Sequence, residues 1–254
     1  MKIVAVIPAR MGSSRFPGKP LAPILGHPMI EHVYRRTLLC DSLAEVIVAT
    51  CDTEIVESVK AFGGKAVMTS AAHERASDRV AEAAAGLDAD VIVMVQGDEP
   101  MTYPQMIDES LAPFIGGDEK VACVNLTARV MSQTEFEDPN TIKVVMDREG
   151  FALYMSREPI PTLHLQNFEQ VSAFKQICII PFTAPALQEF IRLDPTPLEV
   201  AESIDMMRFI EHGRRVKMIE TSFSTHAVDT PEDLKRVEKL LRQDPLTAKY
   251  INIS

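Results

Sequence analysis

Between Pro8 and Leu21 the chain sets Arg10, Arg15 and Lys19 among Gly12, Ser13, Ser14 and Gly18. Small residues let backbone N–H groups close on anionic oxygens, and three cations offset their charge, so the loop suits a triphosphate. It is not a Walker A loop. Five residues separate Gly12 from Gly18-Lys19, and Pro20 stands where a Ser or Thr would hold a metal. Further on, Asp98 follows the apolar run Val91 to Val95, where a carboxylate faces a crevice rather than a core. Mg²⁺ takes one or two carboxylates and lets substrate phosphates and water complete its octahedron, so a second acid from elsewhere would finish a nucleotide site. Asp229 is the candidate, although an Asp just before Pro231 could equally cap a helix. Glu99 competes with Asp98, but neighbours on a strand point oppositely and only one can face the ion. The six histidines, at 27, 32, 73, 164, 212 and 226, make no H-x-x-x-H or His/Cys ligand pattern.

These residues need a scaffold, and the first half of the chain supplies its rhythm. Short β-branched runs at Lys2 to Ile7, Glu45 to Thr50, Lys65 to Met68 and Asp90 to Val95 alternate with helical periodicity at Met29 to Leu39, Thr53 to Phe62 and Asp78 to Gly86. Asp52 is a plausible N-cap and Gly63-Gly64 a plausible stop. That alternation predicts a parallel sheet covered by helices, with the loop after the first strand at its ligand-binding edge. Beyond Asp98 the pattern turns strand-rich, at Val121 to Ala128, Thr141 to Met146, Phe151 to Met155 and Val171 to Phe182, with longer Pro-bearing connections. Glu199 to His212 reads as one helix ended by Gly213, Val216 to Glu220 as a strand, and Thr230-Pro231-Glu232-Asp233 as the capped start of a last helix reaching about Arg242. The expectation is one α/β domain over residues 1–254 with an insertion at about 151–215.

Composition narrows the partners. In 254 residues, 36 Asp and Glu against 26 Lys and Arg give a formal charge of −10, which repels nucleic acid and acidic membranes at long range. Any phosphate must be caught by a local basic cluster. Cys40, Cys51, Cys123 and Cys178 are widely spaced and fit reduced thiols. The opening apolar run stops at Pro8, too short for a secretory signal, and no window has the apolar length of a membrane span, so a cytoplasmic protein is expected.

The stretch from Ile7 to Leu21 closely resembles the N-terminal motif of the sugar-activating nucleotidyltransferases, in particular the CMP-Kdo synthetase (3-deoxy-manno-octulosonate cytidylyltransferase) family. Four further blocks follow in that family's order: Gln96-Gly97-Asp98-Glu99-Pro100, Asp138-Pro139-Asn140 with Lys143-Val144-Val145, Ala152 to Arg157, and Val228 to Leu234. The resemblance implies a Rossmann-like nucleotidyltransferase fold with a mixed, mostly parallel sheet and a small strand-rich dimerisation insertion. It also implies a homodimer, Mg²⁺ held by Asp98 and Asp229, and transfer of CMP from CTP to an acidic sugar for surface polysaccharide synthesis, with pyrophosphate released. Arg10, Lys19 and Asp98 would be catalytic. Pro8, Ala9, Arg10, Gly12, Ser13, Arg15, Lys19, Ser77, Arg79 and Gln96 would bind the nucleotide. Such a transfer is positioning and charge stabilisation and needs no nucleophilic residue.

The resemblance weakens around the acceptor. Where the family carries H-x-G-I-Y-G-Y-R, this chain has Gln176 to Thr183, and the family's E-Q pair appears as Asp205-Met206. In the segment like H-x-x-G-T-E-R, Ala76 replaces Gly and Asp78 replaces Glu, while the hydroxyl and the terminal Arg survive as Ser77 and Arg79. Either Ser77 or Asp78 could simply cap the next helix. Gln96, Arg157, Gln176 and Asp205 are the acceptor-side candidates, with Arg157 suited to grip a carboxylate or phosphonate bidentately. Met11 to Arg15 is also similar to the start of related cytidylyltransferases of surface-polysaccharide pathways with less uniform acceptors. Kdo or a Kdo-like acid is expected first; a nonulosonate, a phosphonate or a non-catalytic nucleotide-binding regulator are the alternatives.

Overall fold

The computed structural model describes residues 1–12, 16–118, 120–164 and 167–251. They form two compact units, Met1–Asp108 with Ser224–Ser254, and Glu109–Phe223. The stretch expected as an insertion, about 151–215, falls within the second unit.

The first unit is α/β. Strand β1 (Ile3–Ala9) leads through a short hairpin, β2 (Pro23–Ile24) and β3 (His27–Pro28), into α1 (Met29–Leu38). Then come β4 (Glu45–Thr50), α2 (Thr53–Ala61), β5 (Ala66–Met68), α3 (Ala76–Ala84), β6 (Val91–Val95) and α4 (Pro104–Ile115), within which the chain passes into the second unit. β6, β1, β4 and β5 lie side by side, all parallel. Every residue of β1 and β6 is buried, as the near-continuous apolar runs of a sheet covered on both faces require. Asp52 does hold the N-cap position of α2, yet its side chain makes no cap bond there.

The closing helix α9 (Pro231–Gln243) returns to this unit, and Val237 and Leu241 pack with Ile24, Met29, Met101 and Val228. That cluster carries the segment before α9 to the turn after β6. Beside it His32 is fully buried, with Nε2 2.8 Å from the Ile24 carbonyl and Nδ1 3.0 Å from the Tyr250 hydroxyl. The carbonyl can only accept, so Nε2 carries the proton and Nδ1 accepts from the phenol. Burial pushes the His32 pKa down from 6.5 to about 4. Between those values the unfolded chain holds a proton that the folded one lacks, so stability rises with pH across the window and falls as pH drops through it. Denaturation midpoints measured from pH 7 to pH 4 are expected to fall by an amount worth about 3 kcal/mol at this site, and His32→Gln is expected to flatten the slope.

In the second unit, β12 (Lys217–Glu220), β7 (Val124–Arg129), β10 (Phe174–Ile177), β8 (Lys143–Met146) and β9 (Ala152–Ser156) form one sheet in that order. Only β12 and β7 are parallel; the other pairs are antiparallel. Helix α5 (Gln133–Glu137) follows β7, and β11 (Ile179–Thr183) with α6 (Ala184–Phe190) follows β10. The stretch read as one strand from Val171 to Phe182 is thus two, interrupted at Cys178. The helix read from Glu199 to His212 is also two: α7 (Pro197–Glu202) and α8 (Met206–Glu211). Ser203 breaks it in the left-handed region at φ 54°, with its N–H on the Glu199 carbonyl. The helix Pro104–Ile115 was hidden in sequence by its own prolines, Pro104 opening it and Pro113 lying in its last turn.

Candidate active site

Leaving β1, the chain forms a loop whose neck is closed by the Gly18 N–H on the Met11 carbonyl at 3.0 Å. Gly18 sits at φ 74°, a conformation that suits glycine. Across the sheet, Asp52 accepts the Met11 N–H at 2.7 Å, fastening the first residue past Arg10 to the end of β4. In sequence this carboxylate reads only as a helix cap. A short 3₁₀ turn, Lys19–Leu21, then turns the Lys19 side chain inward, where it is 11% exposed.

Lys19 Nζ donates to Asp98 Oδ2 at 2.9 Å and to Asp229 Oδ1 at 3.2 Å. Two acids 131 positions apart in sequence therefore meet on one cation. Burial alone would push the lysine pKa down, but the two carboxylates outweigh it and hold it above the ordinary value. The cap of α9 is Thr230, which bonds the Asp233 N–H, while the Asp233 carboxylate accepts the N–H groups of Asp229 and Thr230. The Asp229 carboxylate thus points at Lys19 and not at the helix terminus. Asp98 lies in the turn after β6, and its carbonyl accepts the Val228 N–H at 2.9 Å. Among the described residues no group of three or more His, Cys, Asp or Glu side chains forms a metal cage. Two converging carboxylates with only hard oxygens suit a cation that takes its remaining ligands from substrate and water.

The turn itself needs Gly97. A Cβ there would stand 2.5 Å from the Pro8 carbonyl oxygen, so an alanine must displace the end of β1. Gly97→Ala is expected to cost about 1–3 kcal/mol of stability and to raise the KM for nucleotide, read by thermal denaturation and steady-state kinetics.

A sequence model of the cytidylyltransferase family matches residues 4–219. The chain belongs to that family. It is similar to a 3-deoxy-manno-octulosonate cytidylyltransferase of Geobacter metallireducens, 48% identical over 95% of this chain and 99% of that protein, and to one of Geotalea daltonii, 45% identical over 95% and 99%. A solved structure described as CMP:2-keto-3-deoxy-manno-octonic acid synthetase complexed with CTP is 39% identical, with a TM-score of 0.88 over 96% of this chain and 99% of that one. A cytidylyltransferase from Leptospira borgpetersenii, 18% identical with a TM-score of 0.68 over 100% and 91%, shares the fold.

The remaining nucleotide-side candidates fall into three groups. Ser13 and Arg15 lie outside the described residues. Pro8 and Ala9 end β1, Arg10 and Gly12 are exposed just beyond it, and Gln96 directly follows β6, two residues before Asp98. Ser77 and Arg79 lie buried on α3. Ser77 Oγ approaches Met94 Sδ at 3.9 Å, and the Arg79 guanidinium meets Thr69 Oγ1 at 2.6 Å and the Ser70 and His73 carbonyls. In this arrangement Arg79 braces the 69–73 loop.

Within the second unit, Arg157 donates to the carbonyls of Glu202, Pro139 and Ser203. Glu202, which sequence reasoning passed over, accepts from Tyr154, Ser156 and the Arg157 N–H. Burial would push the Glu202 pKa up, but those three donors prevail and hold it below the usual value. The left-handed break at Ser203 falls directly after this residue, and no Gly or Pro there betrays it. Gln176 Nε2 donates to Asn125 Oδ1 at 2.6 Å, and Asn125 is itself fully buried. Asp205 is half-buried at the start of α8.

Proposed function

We propose that the chain transfers CMP from CTP to Kdo or a closely related 3-deoxy keto acid, releasing pyrophosphate, in the making of a surface polysaccharide. The observation that carries this reading is the meeting of Asp98 and Asp229 on Lys19 beside the Gly/Ser loop. The names borne by the relatives and the CTP complex support the nucleotide and the acceptor.

Asp98 and Asp229 would hold Mg²⁺, which when bound neutralises phosphate charge and polarises the phosphorus under attack. The ammonium of Lys19 has three donors, two of them directed at the carboxylates; among the described residues no acceptor takes the third, which would serve a triphosphate oxygen. Arg10 adds a second positive charge at the loop's entrance. The acceptor hydroxyl loses its proton to solvent as its oxygen bonds to the α-phosphorus and the bond to the α,β-bridging oxygen breaks, and pyrophosphate carries that electron pair away. The protein's part is to orient the reactants and offset charge, with no covalent intermediate. Pro8, Ala9, Gly12, Ser13, Arg15, Ser77, Arg79 and Gln96 complete the nucleotide side of the proposal, and Gln96, Arg157, Gln176 and Asp205 the acceptor side. The reading includes a homodimer in the cytoplasm. Supporting it are Leu153 on the outer strand β9 and Val200 on α7, 59% and 63% exposed. Among the described residues no helix is long and apolar enough to cross a membrane.

Gln176 favours a second reading of the acceptor. Its amide stands where the resembling family has a histidine and is engaged with buried Asn125, so another acid, a nonulosonate or a phosphonate, is the alternative. The test is pyrophosphate release with CTP, Mg²⁺ and a panel of keto sugar acids and phosphonates. Release with Kdo and CTP, and not with other nucleoside triphosphates, is the expected result. Release with a different acid replaces the acceptor, and CTP binding by titration calorimetry with no turnover on any acid overturns the enzyme in favour of a regulator.

A further inference from the structure

The acid next to Asp98 takes a different direction. Asp98 reaches Lys19, whereas the Glu99 carboxylate turns into the protein and accepts the Thr225 hydroxyl at 2.5 Å. Both Glu99 and Thr225 are only 8% exposed. Thr225 stands four residues before Asp229 on the segment that runs into α9, and the same segment bonds back through Val228 N–H to the Asp98 carbonyl. Glu99's own backbone is fixed as well. Its carbonyl accepts both the N–H and the hydroxyl of Thr102, and the Thr102 carbonyl in turn accepts Nε of the buried Arg36 at 2.8 Å. The turn bearing Asp98 is thus anchored on one side to α1 and on the other to the segment bearing Asp229.

We infer that Glu99 is a positioning residue whose bond to Thr225 fastens the Asp229 segment to the Asp98 turn and thereby sets the affinity of the two carboxylates for a divalent ion. The inference rests on reading Asp98 and Asp229 as the metal ligands. A hydroxyl donating to a buried carboxylate is among the stronger hydrogen bonds, and here it ties side chain to side chain across two loops that also share a main-chain bond. Groups that hold ligands in place, without touching the ion, typically change metal affinity ten- to a hundredfold when removed.

The experiment measures Mn²⁺ binding by electron paramagnetic resonance, with and without CTP, for the full chain and for Thr225→Val, Thr225→Ser and Glu99→Gln, alongside kcat and the KM for Mg²⁺. Thr225→Val keeps the side chain's shape and deletes the donor. It is expected to weaken Mn²⁺ binding about ten- to a hundredfold and to raise the KM for Mg²⁺, with kcat recovering at saturating metal. Thr225→Ser restores the donor and is expected to bind Mn²⁺ as the parent does. Glu99→Gln keeps an acceptor and is expected to fall between. If Thr225→Val binds Mn²⁺ as tightly as the parent, or if its kcat stays low at saturating Mg²⁺, the positioning role is overturned while the metal centre stands. If the parent chain binds no Mn²⁺ in either state, the metal reading fails and takes this inference with it. A merely structural tie would lower the denaturation midpoint without the selective rise in metal KM, and that outcome also overturns the inference.

Discussion

Asp98→Asn is expected to slow pyrophosphate release from CTP by roughly a hundred- to a thousandfold, and Asp229→Asn to fall as far. Both changes keep the side chain's size and remove one of the two charges that share Lys19 at 2.9 and 3.2 Å. Two acids acting on one ion behave as a unit, so the double variant should lose little more than either single one. The measurement is a coupled pyrophosphate assay over a Mg²⁺ titration, with denaturation midpoints confirming that the variants fold. Asparagine at either place also leaves Lys19 with one anionic partner, which lowers the pKa that the pair holds up. Retained turnover in Asp229→Asn would remove the C-terminal segment from the chemistry and reduce Asp229 to a surface ligand of Lys19.

How much of this was readable beforehand differs residue by residue. The loop after β1 was legible because three cations among Gly, Ser and Pro directly after an apolar strand have few structural uses. Asp98 was legible from its place after Val91 to Val95. Asp229 was not, on physical grounds alone, because capping by Asp and coordination by Asp look alike in sequence. The structure removes the capping reading, since Thr230 takes the cap and Asp233 holds the backbone of Asp229.

The supporting bonds were invisible for a common reason: each joins residues that only the tertiary fold brings together. Asp52 and Met11 are 41 positions apart, Glu202 and Arg157 45, and Glu99 and Thr225 126. Local patterning carries periodicity and turn chemistry, and it fixed the α/β rhythm of the first unit to within a few residues. It carries no information on which buried carboxylate will meet which donor. The break at Ser203 belongs to the same class, since a serine in the left-handed region has no sequence mark, whereas Gly63 and Gly213 announced their stops.

The largest expected loss of stability comes from the pair that this break brings together. α7 opens with Thr196 at its cap and Glu199 three residues on, and Glu199 reaches back to the Thr196 N–H. After the turn at Ser203, α8 returns Arg208 to the same carboxylate, Nε at 2.8 Å and Nη2 at 2.7 Å, with the guanidinium 4.4 Å from the centre of the Phe190 ring. The side chains are 1% and 4% exposed. Attraction in such a setting does little more than repay desolvation, so the pair's worth shows when one member is removed and the other is left charged and buried. Glu199→Ala is therefore expected to lower the unfolding free energy by about 3–5 kcal/mol, read from urea denaturation. Replacing both residues by methionine removes the stranded charge and should cost less than Glu199→Ala alone. If the double variant is the less stable of the two, the two charges contribute net attraction beyond their desolvation, and this accounting of the pair is wrong.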